Sequence, residues 1–194
     1  MFKNWTKILT ADCEVLKIAS DIFVYPIYKN GRSSCMMYAE QNKSQIFKNR
    51  EIQKLGYIYV FLRDPEERFI SGVHTYLEFN EIKNRNRVLK DIEKFKTYDR
   101  HFVPQLFWLL HLYKFYRGCL LLRPITDLYK LLPNRDVPKF KNKKLAKPTK
   151  KQIAQIRQIN FEHYVDMDKE LIAYSMNKDI LIENLIKKFA YVLS

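Results

Sequence analysis

Lys29, Gly31, Ser33 and Ser34 stand close together, directly after the apolar run Asp21–Tyr28, "DIFVYPIY". A lysine supplies a full positive charge. A glycine lets the backbone approach a ligand closely, and two hydroxyls add donors. Held at the start of a helix, where backbone N–H groups lack intrahelical partners, such residues cradle an anion of the phosphate kind. Asn30 and Arg32 complete the stretch Lys29–Ser34. The order is not that of a Walker A loop, G-x-x-x-x-G-K-[ST], because Lys29 precedes Gly31 and no glycine stands upstream. A second constellation follows at Arg63, with Ser71 eight residues later in "RDPEERFIS". A guanidinium fork and a helix hydroxyl can clamp a phosphate from two sides. Each constellation has a plainer alternative. The first could be a strand-to-helix turn with a serine cap, and Arg63 could simply pair with Asp64 or Glu67.

The elements around these residues must bring them together. "DIFVYPIY" (21–28) and "YIYVFLR" (57–63) read as buried strands, dense in β-branched and aromatic residues. A helix is expected from about Ser33 to Asn42, and another over 64–79, with Pro65 and two glutamates in its first turn. Residues 103–116 form a strongly apolar helix pattern, 119–124 a third strand, and "ITDLYKLLP" the short helix after it. A short helix is expected over 5–18, an exposed charged connection over 80–100, a basic loop over 133–151, and helices over 152–194 with "ILIENLIKKFAYVL" as the closing one. Strands alternating with helices imply a single α/β domain over 1–194 with a mainly parallel sheet flanked by helices. In such sheets ligands sit at the carboxyl ends of the strands, which places Lys29 and Arg63 side by side.

Bulk composition narrows the partners. The formal net charge of +14 favours an anionic partner: nucleic acid, an anionic membrane or a small polyanion. Cys13, Cys35 and Cys119 are scattered, with no C-x-x-C, which argues against a zinc site and a disulfide framework and for a reducing compartment. No apolar run approaches the ~20 residues of a membrane span. The first residues lack the long apolar core of a signal peptide, so a cytoplasmic location is expected.

Taken together, "YKNGRSS", "FLRDPEERFISGVHTYL", "DRHFVPQ" (99–105) and "EHYVDMDKELI" (162–172) resemble the PAPS-dependent sulfotransferases, in particular the carbohydrate branch with its short bacterial and viral members. The resemblance implies a three-layer, P-loop-like fold and transfer of a sulfuryl group from PAPS to a hydroxyl, that of a sugar or glycan, since this branch sulfates carbohydrates. It implies that Lys29, Asn30, Gly31, Arg32, Ser33 and Ser34 hold the 5′-phosphosulfate, and that Arg63 and Ser71 hold the 3′-phosphate. Adenosine 3′,5′-bisphosphate would be the product, with no metal and no membrane span required. Lys141 and Asn142, in "VPKFKNKKLAKP", would help cover the cofactor or an anionic acceptor.

Sulfuryl transfer needs in-line geometry, a stabilised leaving oxygen and a base for the acceptor. Lys29 is the candidate at the leaving oxygen. His101, inside "DRHFVPQ", is the first candidate for the base, and His74, one turn beyond Ser71, the second. Glu40 and Glu51 follow the first loop and stay open. His111 lies among apolar residues, as a satisfied core histidine does, and His163 sits in the late helices. Two competing readings are a basic nucleic-acid-binding protein without catalysis, from the charge and the interleaved Tyr, Phe and Lys, and a small P-loop kinase, against which the displaced lysine counts. The sulfotransferase reading expects no nucleic-acid partner.

Overall fold

The computed structural model describes residues 11–79, 101, 103–132, 154 and 162–192. The expected connection 80–100 and the basic loop 133–151, with Lys141 and Asn142, lie outside the described residues, as do residues 5–10. Among the described residues the strands are β1 (Glu14–Ala19), β2 (Ile22–Val24), β3 (Ile46–Lys48), β4 (Ile58–Leu62), β5 (Cys119–Pro124) and β6 (Asp179–Leu181). The helices are α1 (Arg32–Gln41), α2 (Pro65–Phe79), α3 (Gln105–Tyr113), α4 (Ile125–Leu131), α5 (Glu162–Ser175) and α6 (Ile182–Lys188).

The six strands form one sheet in the order β3-β1-β2-β4-β5-β6. Its centre is parallel: β2 pairs with β4, and β4 with β5. Both flanks are antiparallel, β1 with β2 and β3 on one side and β6 with β5 on the other. The expectation of a mainly parallel sheet is therefore corrected to a mixed one. Two segments account for the change. "EVLKIA", expected within a helix, is β1: the tight turn at Ser20–Asp21 folds it straight back on β2, and a connection that short permits only antiparallel pairing. Asp179–Leu181 opens the closing segment as a strand on the free edge of β5, and the helix starts only at Ile182.

β4 is buried on both faces. Ile58, Val60 and Leu62 pack with Leu106, Leu109, Leu171 and Leu185 on the side of α3, α5 and α6. Phe61 packs with Cys35, Tyr38 and Leu128 on the side of α1 and α4. A strand covered by helices on both sides reads as the near-continuous apolar run "IYVFL" for this reason. α3 is buried from Gln105 to Leu112, as a helix apolar all round must be, and it packs against α5 and α6. None of the described helices is long and apolar enough to cross a membrane.

β2 is shorter than the expected 21–28. Tyr25 N–H still donates to Tyr59 O at 3.0 Å, but Pro26 has no N–H, and the ladder stops there. The chain then turns above the carboxyl end of the sheet and enters α1.

Candidate functional site

The turn from β2 into α1 is held in an unusual backbone shape. Asn30 N–H donates to Ile27 O at 3.0 Å, and Lys29 and Gly31 take φ of 67° and 80°. Gly31 is the N-cap of α1 and provides no side-chain cap. A Cβ on Gly31 would also collide with the Leu128 side chain of α4, so glycine is required there twice over. α1 accordingly begins at Arg32 with the first-turn N–H groups of Arg32, Ser33 and Ser34 lacking intrahelical acceptors. Ser33 is exposed at this end, whereas Ser34 is buried.

Two expected ligands point elsewhere. Asn30 is buried beneath the loop, its Nδ2 donating to Phe61 O at 2.7 Å and to Gln105 Oε1 at 2.5 Å. Arg32 turns toward β1, where its Nη2 lies 2.9 Å from Glu14 Oε2 and its guanidinium stands 4.8 Å from the Tyr28 ring centroid. Glu14 also pairs with Lys48 at 3.4 Å. Burial would raise the Glu14 pKa, but the hydrogen bonds and charges of Arg32 and Lys48 outweigh it and hold the carboxyl below its usual range.

Arg63 leaves the end of β4 beside this loop. Its Nη1 donates to Lys29 O at 3.4 Å and its Nε pairs with Glu67 at 3.4 Å, a long contact on an exposed partner worth little by itself. The topology thus brings Lys29 and Arg63 together at the carboxyl ends of adjacent parallel strands, as the sequence implies, and the Glu67 pairing weighed as the alternative is present too. Asp64 caps α2, its Oδ1 accepting Glu67 N–H at 2.9 Å, which gives the Arg-Asp-Pro order a local cause. Ser71 is half-buried on α2, one turn beyond Glu67 on the same face.

His101 is brought to the loop: its ring meets Tyr28 edge-on at 5.5 Å. Tyr28 in turn stacks on Trp108 at 5.2 Å. His74 lies on α2 three residues after Ser71, and its side chain is outside the described residues, as is that of His163. Glu40 sits in the last turn of α1, about 12 Å along the helix from Arg32 at 1.5 Å per residue. Glu51 caps its own turn, accepting Lys48 N–H at 2.9 Å. Neither carboxylate is placed at the loop. His111 is a satisfied core histidine, with Tyr25 Oη 3.1 Å from Nδ1 and Ala11 O 2.9 Å from Nε2. A cleft of about 310 Å³ opens beside the loop, lined by Asp12, Glu14, Tyr28, Arg32, Trp108 and His111 among others.

The structure adds three residues to the site that the motifs alone do not single out. Gln105, Asp168 and Arg68 are buried directly under the loop and the end of β4. Gln105 and Asp168 fall within "DRHFVPQ" and "EHYVDMDKELI", so a signal was present in those blocks. What no spacing reveals is that the two blocks meet, 63 residues apart, through Gln105 N–H and Asp168 Oδ2 at 2.9 Å. Arg68 Nε donates to Tyr28 O at 3.2 Å, and burial pushes its pKa down to about 10 against the opposing charge of Asp168.

The chain matches no family model, no curated protein and no solved structure. The site consists of a helix N-terminus, a lysine, an arginine and two serines along the ends of two parallel strands.

Proposed function

We propose that this protein is a sulfotransferase that uses PAPS to sulfate a hydroxyl, with a carbohydrate as the acceptor class. One observation carries the reading: Lys29 and Arg63, from loops more than thirty residues apart in sequence, meet at the ends of β2 and β4 with Arg63 Nη1 3.4 Å from Lys29 O. Two cationic stations beside the uncapped start of α1 suit a ligand with two separate phosphates better than one with a single triphosphate tail. The donor set fits such a nucleotide. Lys29, Ser33 and the N–H groups of residues 32–34 would hold the 5′ end, and Arg63 with Ser71 the 3′-phosphate. Asn30 contributes from beneath as a support for the loop, and Arg32 as a wall of the neighbouring cleft.

PAPS supplies the sulfuryl group when bound. The chain's own residues supply the rest. Lys29 would donate to the oxygen on the 5′ side of the sulfuryl group, and the first-turn N–H groups of α1 would stabilise charge on the sulfuryl oxygens. His101 would accept the proton of the acceptor hydroxyl, the group that would take up the sulfuryl that PAPS supplies. His74 is the other candidate for that proton. The cleft lined by Tyr28 and Arg32 lies next to the loop and gives the acceptor a place to enter. Three free thiols, Cys13, Cys35 and Cys119, suit the reducing cytoplasm included in this reading.

The test is calorimetric titration with adenosine 3′,5′-bisphosphate and with adenosine 5′-monophosphate. Micromolar binding of the first and clearly weaker binding of the second is expected. Absence of binding by the folded protein would remove the reading. Salt-sensitive binding of a random oligonucleotide in its place would move the +14 charge to a nucleic-acid role.

A further inference from the structure

Four polar side chains from four segments are buried together under the loop: Asn30 before α1, Arg68 in α2, Gln105 at the start of α3 and Asp168 in α5, at 2 %, 4 %, 0 % and 2 % exposure. Burial of polar and charged groups is unfavourable unless they are paired, and apolar residues of the same shape often serve stability better. The pairing at Gln105 is complete. Its Oε1 accepts Arg63 N–H at 2.9 Å and Asn30 Nδ2 at 2.5 Å. Its Nε2 donates to Arg63 O at 2.9 Å and to Asp168 Oδ2 at 3.2 Å. A primary amide can make no more than this.

The geometry has a consequence for the anion site. By holding both the N–H and the C=O of Arg63, the Gln105 amide acts as a strand partner at the end of β4 and fixes the direction in which the Arg63 side chain departs. Through Asn30 the same amide anchors the loop between Lys29 and Gly31. Asp168, together with the backbone of Arg63, sets which way the amide points. Flipped, Gln105 would present N–H₂ to the Arg63 N–H and to Asn30 Nδ2, and oxygen to the Arg63 C=O and the Asp168 carboxylate, four repulsive contacts. Asp168 is itself fixed, accepting the N–H groups of Gln105 at 2.9 Å and Leu106 at 3.3 Å.

We propose that Gln105, oriented by Asp168, is a positioning residue that holds the Lys29–Ser34 loop and Arg63 at one spacing, so that the two phosphates of a 3′,5′-bisphosphonucleotide are bound jointly. This rests on the sulfotransferase reading. Joint binding raises the effective concentration of the second phosphate at its station once the first is held, and loosening the spacing forfeits that gain while leaving each station usable.

The experiment compares wild type with Gln105→Met, which keeps the length and removes all four hydrogen bonds, by titrating adenosine 3′,5′-bisphosphate and 5′-monophosphate into each. The ratio of the two affinities is expected to fall by about tenfold or more in the variant, with 5′-monophosphate affinity changed by less than about threefold. A folded Gln105→Met protein with the wild-type ratio, and only a lower melting temperature, overturns the proposal and leaves the two-phosphate site standing. Failure of wild type to prefer the bisphosphate overturns the underlying reading, a distinguishable result. Amide hydrogen exchange on wild type covers the case in which the variant does not fold. Bisphosphate is expected to slow exchange in the first turn of α3 and in α5 around Asp168 as well as in the loop. Protection confined to the loop and the start of α2 overturns the proposal.

Discussion

Replacing Asp168 by alanine should be among the most damaging single changes in this protein. The carboxylate accepts two backbone N–H groups at the start of α3, from Gln105 at 2.9 Å and Leu106 at 3.3 Å, and the Gln105 Nε2 at 3.2 Å. It also provides the opposing charge for Arg68, which is 4 % exposed and whose Nη2 has no hydrogen-bond partner among the described residues. Alanine leaves these donors unpaired in the core, at about 1–3 kcal/mol for each buried group that water cannot reach. It also removes the opposing charge that offsets burial of the Arg68 guanidinium, a through-space attraction rather than a direct ion pair. The terms overlap because they share one carboxylate, so about 4 kcal/mol is the expected loss rather than their sum. That is a large share of the roughly 5–15 kcal/mol of a typical domain. At about 2–4 °C per kcal/mol for a chain of this size, melting should fall by about 8–16 °C. Urea denaturation followed by tryptophan fluorescence measures it, with Asp168→Asn expected to lose less because one acceptor oxygen remains. A loss below about 1 kcal/mol for Asp168→Ala would refute the view of this carboxylate as the cap of α3 and counter-charge of Arg68.

Gly31→Ala combines a left-handed backbone, about 1–2 kcal/mol, with a methyl driven against the fully buried Leu128; a loss of about 2–4 kcal/mol by urea denaturation is expected, and less than about 1 kcal/mol would contradict the loop geometry. Glu14 gives a pH signature. Its carboxyl is held below the ordinary value of 4.5, so the folded state binds its proton less readily than the unfolded chain. The stabilisation is therefore present above about 4.5 and is lost as pH falls through the lower folded value. Glu14→Gln should give a shallower fall of stability below that pH, read from urea midpoints across an acid series. An unchanged acid limb would place the titration elsewhere.

Much of the fold could be read from the residues, and the misses share a cause. β4, α1, α2, β5 and α4 lie close to their expected bounds because apolar density, the Pro65 first turn and Gly31 mark them locally. β1 and β6 were expected within helices, and both exist because of what they pair with: β1 with β2 and β3, β6 with the edge of β5. Short edge segments such as "EVLKIA" and "DIL" carry no decisive period of their own, so tertiary pairing settles them. At the site, the meeting of Lys29 with Arg63 followed from strand topology alone. The inward turn of Asn30 and the diversion of Arg32 to Glu14 did not, since a loop sequence does not say which polar side chains serve the ligand and which serve the scaffold. Gln105 and Asp168 were visible as members of two short blocks, yet their contact spans 63 residues and appears only in the folded chain.

On the proposed reading, Arg63 holds a second phosphate. The most direct measurement is a cycle of four titrations: wild type and Arg63→Ala, each with adenosine 3′,5′-bisphosphate and adenosine 5′-monophosphate. A charge-assisted contact of about 1.5–3 kcal/mol predicts that the variant weakens the bisphosphate by roughly 10- to 150-fold. It should leave the monophosphate nearly unchanged. Equal weakening of both ligands, or of neither, would contradict the assignment of Arg63 to the 3′-phosphate and with it the two-phosphate account of the site.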